Sequence, residues 1–532
     1  MFRFAKFRIR RHFATSSMKN LTTSVTILLI FGTLYRLWPI AVGMPSLANF
    51  FITEDGYLML TVARNMAIGN GMSVSDGTIA TNGVQPLIAF VFAGAYWLTD
   101  GAKEVSLILI HLLHAGIALI TALTIRTFAA RMLAPRFTEP HWPWMVALLW
   151  FLGPLLLRHS MNGLETSLIT LVALSTLLAF QTILRAGSSL FRVLCLGALC
   201  GLAVLARNDA VFLVAGLFLA WAIWDVFVLR TGVVCMVLHL TPPGLVSIAV
   251  AAPWLVNNYV WFGSIVPISG TAQSLDIPIG QNLHLLPAKL FEHAFPMLPI
   301  PSGLEAALPV IWISTIAAAF ILVFFAVWLV VQGTAVARCV AFGFLIYAVA
   351  LAGYYGLFFG APHFLSRYLA PISPLLILAA LVASLEVGRL LRLRSGLALV
   401  YGGGGTVLAI ILLSRALLPG VTVQGHEQVI AWVDANVDSD TWVGAVQTGT
   451  LGYWHDRTLN LDGKVNPQAL EARKTSGSVL DYVTKSEIDV VADWVGVGDW
   501  IQHGNAGFND AFALELQDED QNLAILKRRG DN

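Results

Sequence analysis

Long apolar runs follow one another from Leu21 to about Leu418, and they constrain the fold more than any other feature of this sequence. A helix needs about 20 apolar residues to cross the roughly 30 Å hydrocarbon core of a bilayer, and many of these runs approach that length. Hydrophobic residues make up 57% of the 532-residue chain and charged residues only 12%. Soluble domains carry about twice that share of charge. The pattern therefore predicts a polytopic α-helical membrane protein.

Eleven of these runs are predicted to span the membrane. A further apolar segment, Pro86–Leu98, is only 13 residues long, so we predict a half-buried or re-entrant helix there. The predicted spans lie at about residues 21–42, 105–125, 144–157, 167–183, 193–205, 211–229, 233–256, 308–331, 339–359, 372–387 and 397–418.

Basic residues set the predicted orientation of the chain. Residues 1–20 carry six lysines and arginines and no acidic residue, which indicates a cytoplasmic N-terminus. With eleven spans, the C-terminus then lies on the extracytoplasmic side. The predicted inner loops agree with the excess of Lys and Arg expected there, since they hold Arg126, Arg185, Arg230, Arg338 and Arg389.

The last part of the chain differs in composition from the rest. Of the 31 acidic residues, 18 lie between Glu427 and Asp531. Residues 420–532 are therefore predicted to form a soluble domain, after a membrane domain at 21–419 whose first outer loop is 43–104. The pattern indicates a small α/β fold with a helix at 427–436, strands at 442–446 and 488–491, and a hairpin from 514–516 and 523–526.

The adjacent carboxylates Glu54 and Asp55 lie in a polar segment directly after the first apolar run. In a chain built mostly of apolar spans, such a pair of charges needs a functional or structural reason. The alternative is that both acids only cap a short amphipathic helix, predicted at 56–68 and ended by Gly69-Asn70-Gly71. A catalytic or ligand-binding role is the interpretation that we favour.

Other polar segments are expected to meet these carboxylates at one membrane face. The predicted outer loops contain arginines that the positive-inside rule disfavours there, namely Arg64, Arg158, Arg207 and Arg367. A carboxylate can remove a proton from an acceptor hydroxyl, and arginines can stabilise a departing phosphate. This combination suits the transfer of a sugar from a lipid-linked phosphate, for which an inverting displacement needs one base.

Several short motifs in this order resemble the GT-C superfamily of polytopic glycosyltransferases, which use polyprenyl-phosphate sugars. The sequence resembles bacterial members, including the group related to the mycobacterial terminal arabinofuranosyltransferase. Leu451-Gly452-Tyr453 followed by the segment Leu461–Pro467 resembles the outer C-terminal domain that many members carry. The motifs are the acidic pair followed by Tyr57, Ala63-Arg64 and Gly69-Asn70-Gly71, then Asn82–Leu87, Asn162–Thr166, Leu205–Asp209, Pro253–Ser269 and Arg367-Tyr368.

The resemblance implies roles for particular residues. Asp55 would be the catalytic base, and Glu54 would position it or the acceptor. The predicted ligands of the donor phosphate are Arg367, Arg64, Tyr368 and His363, and the predicted acceptor-binding or supporting residues are Glu165, Arg207, Asp209, Asn82, Gln85 and Asn258.

Structural alternatives stay open for some of these residues. Arg367 could be an interfacial arginine that reaches lipid headgroups, and Arg64 could pair with Glu54 or Asp55 to fix the loop. Arg207 and Asp209 could form a local ion pair at a helix end. Arg36 lies inside the first predicted span, where it could snorkel outwards or meet the donor phosphate. In the C-terminal domain, Asp462 and Lys464 are the first residues to probe, since that domain could bind the acceptor or be a passive cap.

The sequence predicts an inverting glycosyltransferase that moves a sugar from a polyprenyl phosphate to an envelope glycan or glycolipid, at the outer face of a bacterial inner membrane. We predict no metal or other cofactor, because no clear set of oxygen ligands is present, and no nucleic-acid-binding patch. The alternatives are a transporter or flippase, and a non-catalytic assembly subunit. A transporter would place charged residues deep inside several spans.

Overall fold

The structure is a computed structural model that describes residues 2–134, 136–275, 277–301, 303–393, 395–418 and 426–530. A bundle of helices precedes a small α/β domain within this described part. The predicted domain boundary between residues 419 and 420 and the basic side chains at positions 3–19 lie outside it.

The N-terminal part of the bundle combines one long helix with short polar elements. The two strands of this region pair antiparallel. The elements are α1 (Phe2–Val42), α2 (Met44–Asn49), α3 (Glu54–Ala67), β1 (Ser73–Val74), β2 (Ile79–Ala80) and α4 (Pro86–Trp97).

Helix α3 begins at the acidic pair. The Thr53 hydroxyl caps it by accepting a hydrogen bond from the backbone N–H of Gly56 at 3.3 Å. Glu54 and Asp55 occupy its first turn, where carboxylates suit the positive end of the helix dipole. The helix ends before Gly69, whose φ of +94° an L-residue rarely adopts. The predicted amphipathic helix at 56–68 is thus confirmed with an earlier start, and Thr53 is the capping residue.

Fifteen more α-helices of the bundle lie in the part of the chain that the structure describes. Short 3₁₀ or π-helical turns extend several of them, so that α16 runs into α17 and α18 into α19. The helices are α5 (Lys103–Leu133), α6 (His141–Leu152), α7 (Pro154–His159), α8 (Thr166–Ala186), α9 (Leu190–Ala206), α10 (Val211–Ile223), α11 (Val233–Phe262), α12 (Ile268–Ala272), α13 (Leu286–Ala294), α14 (Leu308–Gln332), α15 (Ala335–Leu357), α16 (Leu365–Leu369), α17 (Ser373–Leu390), α18 (Gly396–Leu399) and α19 (Gly405–Ala416).

The protein is a multi-pass membrane protein. In the part of the chain that the structure describes, nine segments are long and apolar enough to cross a membrane, and each matches a predicted span. The other two predicted spans, 144–157 and 193–205, correspond to α6 and α9, which are only 12 and 17 residues long. The count of eleven therefore stays a prediction. The segments are Asn20–Val42, Lys103–Leu133, Thr166–Ala186, Asn208–Val228, Val233–Phe262, Leu308–Gln332, Ala335–Leu357, Pro362–Leu390 and Gly396–Ala416.

The segment Pro362–Leu390 lies at the centre of the bundle. In its apolar stretch of 18 residues, 89% of the residues are buried. The corresponding share in α11 is only 11%, so α11 lies at the periphery. Helix α17 packs against α6, α13, α14 and α18, and the central core cluster includes Leu369, Ile377 and Leu381. The residues just before α17 are therefore held by packing on several sides.

Arg36 is fully buried in α1 and forms hydrogen bonds at the break between α6 and α7. Its guanidinium donates hydrogen bonds to the carbonyl oxygen of Phe151 at 2.8 Å and to the hydroxyl of Ser160 at 3.2 Å. The Phe151 carbonyl lies at the end of α6, beside the break between α6 and α7 at Gly153. Arg36 therefore satisfies a helix end. It neither reaches outwards nor belongs to the described residues that line the cavity around Asp55.

The C-terminal domain is a five-stranded mixed sheet with helices around it. The strand order is β4-β3-β5-β7-β6, in which β4, β3 and β5 are parallel and β7 and β6 form an antiparallel hairpin. The predicted helix, strands and hairpin are confirmed. The elements are α20 (Glu427–Asn436), β3 (Val443–Ala445), α21 (Gly449–Trp454), β4 (Thr458–Asn460), α22 (Pro467–Ser476), α23 (Leu480–Lys485), β5 (Val490–Asp493), α24 (Trp500–His503), α25 (Ala506–Ala511), β6 (Phe512–Asp518) and β7 (Leu523–Arg528).

The C-terminal domain sits directly on α3, because α21 packs against it. The carboxylate of Glu54 accepts hydrogen bonds from the backbone N–H of Thr450 at 3.1 Å and from the Thr450 hydroxyl. A Cβ at Gly449 would lie 1.9 Å from the carbonyl oxygen of Glu54, so this close approach requires glycine. The acidic start of α3 thus lies at the interface between bundle and domain.

Candidate active site

A cavity of about 270 Å³ opens beside Asp55. Its wall comes from α3, the segments at 83–85 and 266–273, the ends of α10 and α15, and the residues before α17. The polar and charged residues among those that line it are Asp55, Gln85, Glu165, Arg207, Asn208, Asp209, Ser269, Gln273, Tyr354, Tyr355, Arg367, Tyr368 and Lys464.

Asp55 lies between two cations. Arg367 Nη1 is 3.0 Å from its Oδ2 atom, and Lys464 Nζ is 3.6 Å from its Oδ1 atom. Burial raises the pKa of Asp55, but the nearby Arg367 and Lys464 outweigh it, so the pKa lies below its usual value. Asp55 is therefore ionised at neutral pH. This arrangement can accept a proton and can present two cations to an anion.

Aromatic rings surround the Arg367 guanidinium. Its central carbon lies 4.4 Å from the ring centre of Phe364 and 4.9 Å from that of Tyr368, and Nη2 donates to the Tyr368 hydroxyl at 3.2 Å. The buried Nε has no hydrogen-bond partner among the described residues. The arginine is therefore a buried cation rather than an exposed headgroup contact.

Two histidines fix the residue before Arg367. His293 Nε2 donates to the carbonyl oxygen of Ser366 at 2.8 Å, and His159 Nε2 shares a hydrogen bond of 3.2 Å with the Ser366 hydroxyl. Burial lowers the pKa of His159 to about 3 and that of His293 to about 4, so both rings are neutral at pH 7. They can therefore orient the Arg367 segment without adding charge.

A second ion pair lies on another wall of the cavity. Arg207 pairs with Asp209, whose Oδ2 atom also accepts a hydrogen bond from the Tyr355 hydroxyl at 2.6 Å. Arg207 Nη1 donates to the carbonyl oxygen of Tyr368 at 3.2 Å, and the rings of Tyr355 and Tyr368 stack 4.3 Å apart. The predicted local ion pair between Arg207 and Asp209 is confirmed, and this pair also faces the cavity.

Glu165 is a buried carboxyl beside the same arginines. It lies 3.9 Å from Arg207 Nε. Burial raises its pKa, and the opposing effect of Arg207 and Arg367 does not cancel that rise. Glu165 is thus less acidic than Asp55.

The three predicted amide residues differ in position. Gln85 lines the cavity, and its Oε1 atom has no hydrogen-bond partner among the described residues. Asn82 accepts a hydrogen bond from the backbone N–H of Ile268 at 3.1 Å, and Asn258 donates to the carbonyl oxygen of Ile265 at 3.4 Å. Asn82 and Asn258 therefore brace the segment at 265–268 that forms one wall.

Glu54, Arg64 and His363 are absent from the described residues that line the cavity. Glu54 binds Thr450, as described above. Arg64 donates to the carbonyl oxygen of Gly101 at 3.0 Å and pairs with Asp456 at 3.3 Å, so its ionic partner is neither predicted carboxylate. His363 is exposed. Their predicted roles in catalysis or phosphate binding have no support from this geometry.

The cavity includes residues that the sequence did not single out for it. Tyr355 and Gln273 are two of them, and Lys464 was named only as a probe of the C-terminal domain. The adjacent tyrosines at 354 and 355, close to the end of an apolar span, were an available indication. No cluster of three or more His, Cys, Asp or Glu suited to a metal occurs within the described part of the chain.

Comparisons with known proteins found matches to the overall fold and to the C-terminal domain. A domain of unknown function (DUF8728) matches residues 419–523. No curated protein sequence matches the chain. ArnT from Cupriavidus metallidurans, solved bound to undecaprenyl phosphate, is similar with a TM-score of 0.59 and 13% identity, over 96% of this chain and 98% of ArnT.

A second solved structure is the archaeal oligosaccharyltransferase AglB from Archaeoglobus fulgidus, in complex with an inhibitory peptide and a dolichol-phosphate. Its TM-score is 0.53 at 13% identity, over 92% of this chain and 72% of AglB. At these identities the likeness shows the fold. It confirms the predicted GT-C fold, with a membrane bundle and a C-terminal α/β domain. The arabinofuranosyltransferase group stays a prediction.

Proposed function

Because the chain is a multi-pass membrane protein with the GT-C fold, we propose that it is a glycosyltransferase that uses a polyprenyl-phosphate sugar. The observation that carries this proposal is Asp55, which lies in the cavity in contact with Arg367 at 3.0 Å and Lys464 at 3.6 Å. A base and two cations in one cavity are what sugar transfer from a phosphate requires.

The two similar structures support the choice of donor. ArnT was solved with undecaprenyl phosphate and AglB with a dolichol-phosphate, both of which are long isoprenoid phosphates. In this chain, the cavity of cations and aromatic rings lies beside the central apolar segment Pro362–Leu390. A phosphate at Arg367 would therefore leave its isoprenoid chain next to the bundle.

The proposed reaction is a single inverting displacement. An acceptor hydroxyl attacks the anomeric carbon of the donor sugar, and Asp55 takes the hydroxyl proton. A new glycosidic C–O bond forms while the bond from the anomeric carbon to the phosphate oxygen breaks. The leaving polyprenyl phosphate keeps the electron pair of that bond, and Arg367 stabilises its negative charge.

The proposed acceptor is an envelope glycan or glycolipid at the outer face of a bacterial inner membrane. The excess of Lys and Arg in the predicted inner loops supports this orientation, in which Asp55 and the C-terminal domain are extracytoplasmic. The Arg207–Asp209 pair and Gln85 also line the cavity, and they are the groups proposed to hold acceptor hydroxyls.

The test is sugar transfer by the purified full-length protein in lipid nanodiscs. A panel of undecaprenyl-phosphate pentoses and hexoses is incubated with envelope glycan fragments, and both the product and released undecaprenyl phosphate are measured. We expect one donor to be consumed, with inversion at the anomeric carbon. Binding of undecaprenyl phosphate without consumption of any donor would instead favour a flippase or a non-catalytic subunit.

A further inference from the structure

One residue of the C-terminal domain enters the cavity. Of the described residues that line it, Lys464 alone comes from that domain. Its Nζ atom lies 3.6 Å from Asp55 Oδ1 and 3.1 Å from Asp462 Oδ2, and 5.6 Å from the ring centre of Phe364. The side chain is 16% exposed, so its charge is partly removed from solvent.

The loop that carries Lys464 is built for this position. Asp462 Oδ1 accepts a hydrogen bond from the Lys464 backbone N–H at 2.8 Å, and Gly463 has a φ of +80°. A Cβ at Gly463 would lie 2.9 Å from Leu470 Cα, and a Cβ at Gly83 would lie 2.1 Å from the Lys464 carbonyl oxygen. Two glycines therefore let the loop turn and seat its backbone directly on the bundle.

Other contacts already hold the domain on the bundle. Asp456 pairs with Lys103 at 2.9 Å and with Arg64 at 3.3 Å, and the hydroxyls of Tyr453 and Tyr96 are 2.9 Å apart. All of these contacts lie apart from the residues that line the cavity. The Lys464 ammonium inside the cavity is thus not needed only to attach the C-terminal domain to the bundle.

The charges around Asp55 limit its use as a base in the resting state. Arg367 contacts its Oδ2 atom and Lys464 its Oδ1 atom, so both oxygens face cations. These contacts favour the carboxylate over the protonated acid. A donor phosphate brings negative charge into the same cavity and competes with Asp55 for these cations.

We infer that Lys464 is a phosphate-binding residue of the active site, and that donor binding moves its ammonium from Asp55 to the donor phosphate. This inference rests on the proposed function. The move leaves Oδ1 of Asp55 open to accept the proton of the acceptor hydroxyl, while Asp462 remains beside the ammonium. The base becomes available only when the donor is in place. The C-terminal domain then supplies part of the active site.

The experiment compares Lys464→Met with Lys103→Met in the full-length protein in nanodiscs. Both variants remove an interface lysine, but Lys103 lies outside the cavity lining. We expect Lys464→Met to weaken the binding of undecaprenyl phosphate about 10- to 100-fold, as the loss of a charge-assisted hydrogen bond predicts. Lys103→Met should bind it as the wild type does, and Lys464→Arg should recover most of the affinity.

The pH profile of transfer gives a second measurement. Without the Lys464 charge, the pKa of Asp55 rises in the free enzyme, so the loss of kcat/KM on acidification should begin at a higher pH than in the wild type. The acidic limb of kcat, which reports the donor-bound enzyme, should stay where it is in the wild type. If the ammonium instead stayed beside Asp55 in the donor-bound enzyme, the acidic limb of kcat would also move to a higher pH in Lys464→Met, and that result would contradict the inference. The charged or titratable groups around Asp55 are Arg367, Tyr368, His363, Lys464 and, next to Lys464, Asp462.

The outcomes separate this inference from the proposed function. Equal losses of binding in Lys464→Met and Lys103→Met, or unchanged binding in Lys464→Met, would overturn the inference while the proposed function stands. Failure of the wild type to bind undecaprenyl phosphate would overturn the proposed function itself. If Lys464→Met does not fold, the comparison of Lys464→Gln with Lys464→Arg decides, since only the arginine keeps the charge.

Discussion

Asp55→Asn is expected to lower kcat for sugar transfer by about 10²- to 10⁴-fold, the range that general base catalysis contributes. An asparagine has nearly the same shape as aspartate but does not accept the hydroxyl proton. Its neutral amide also competes less for Arg367 and Lys464, which contact the carboxylate in the resting state. The variant should therefore bind undecaprenyl phosphate at least as tightly as the wild type. Single-turnover rates and binding in nanodiscs check both results.

Asp456→Asn is the matched control for this variant. Asp456 also pairs with two cations, Arg64 and Lys103, but it lies outside the cavity lining and its side chain is 44% exposed. We expect its rate to stay within about fivefold of the wild type, because exposed ion pairs contribute little. A full rate in Asp55→Asn would refute the assignment of the base. Glu165, a second carboxyl in the cavity, whose pKa burial raises, would then be tested.

Arg367→Gln is expected to lower kcat/KM by about 10²- to 10³-fold, as the loss of one group that stabilises a developing anion does. Arg367 would contact the phosphate whose charge grows as the sugar leaves, and its Nε has no partner among the described residues. Arg367→Lys should recover only part of the activity, since a lysine lacks the planar fork of donors. Steady-state rates with the identified donor measure both effects.

Arg64→Gln is the control for Arg367→Gln. Both arginines were predicted from the sequence to bind the donor phosphate, and the comparison tests each prediction separately. Arg64 binds Gly101 and Asp456 at the domain interface. We expect Arg64→Gln to change kcat/KM by less than about fivefold, as for other partly exposed ion pairs. Thermal unfolding of the three arginine variants shows whether the protein remains folded. Equal losses in the Arg64 and Arg367 variants would contradict the phosphate role of Arg367.

Hydropathy was sufficient to predict most of the bundle. Runs near 20 residues predict spans because a bilayer imposes one length. Length is a weaker guide for α6 and α9, whose 12 and 17 residues do not determine whether they cross the membrane. The helix, strands and hairpin of the C-terminal domain followed from local periodicity and turn residues, and their positions were confirmed.

The division of roles near Asp55 was only partly predictable. Adjacent residues on a helix point about 100° apart, and the local sequence did not indicate that Asp55 faces the cavity while Glu54 contacts Thr450. The position of Arg64 could have been foreseen. Arg64 follows Asp55 by nine residues, which is about two and a half helical turns, so Arg64 lies on the opposite side of α3. The structure accordingly gives it a partner outside the cavity.

The contribution of Lys464 could not be derived from local patterns. It reaches Asp55 through the docking of a separate domain, and no periodicity in either segment specifies that approach. Gly83, one of the two glycines that permit this approach, was visible in the sequence, but glycine is required there because Lys464, a residue distant along the chain, packs against it. For the same reason, the histidines that hold Ser366 became apparent only in the folded bundle.

The central claim is that the phosphate of a lipid carrier binds beside Asp55. The most direct measurement is a cryo-electron microscopy map of the full-length protein in nanodiscs with undecaprenyl phosphate. We predict phosphate density within hydrogen-bond distance of both Arg367 and Lys464, with the isoprenoid chain leaving along the bundle. Phosphate density outside this cavity, for example at Arg64 or Arg158, would contradict the account.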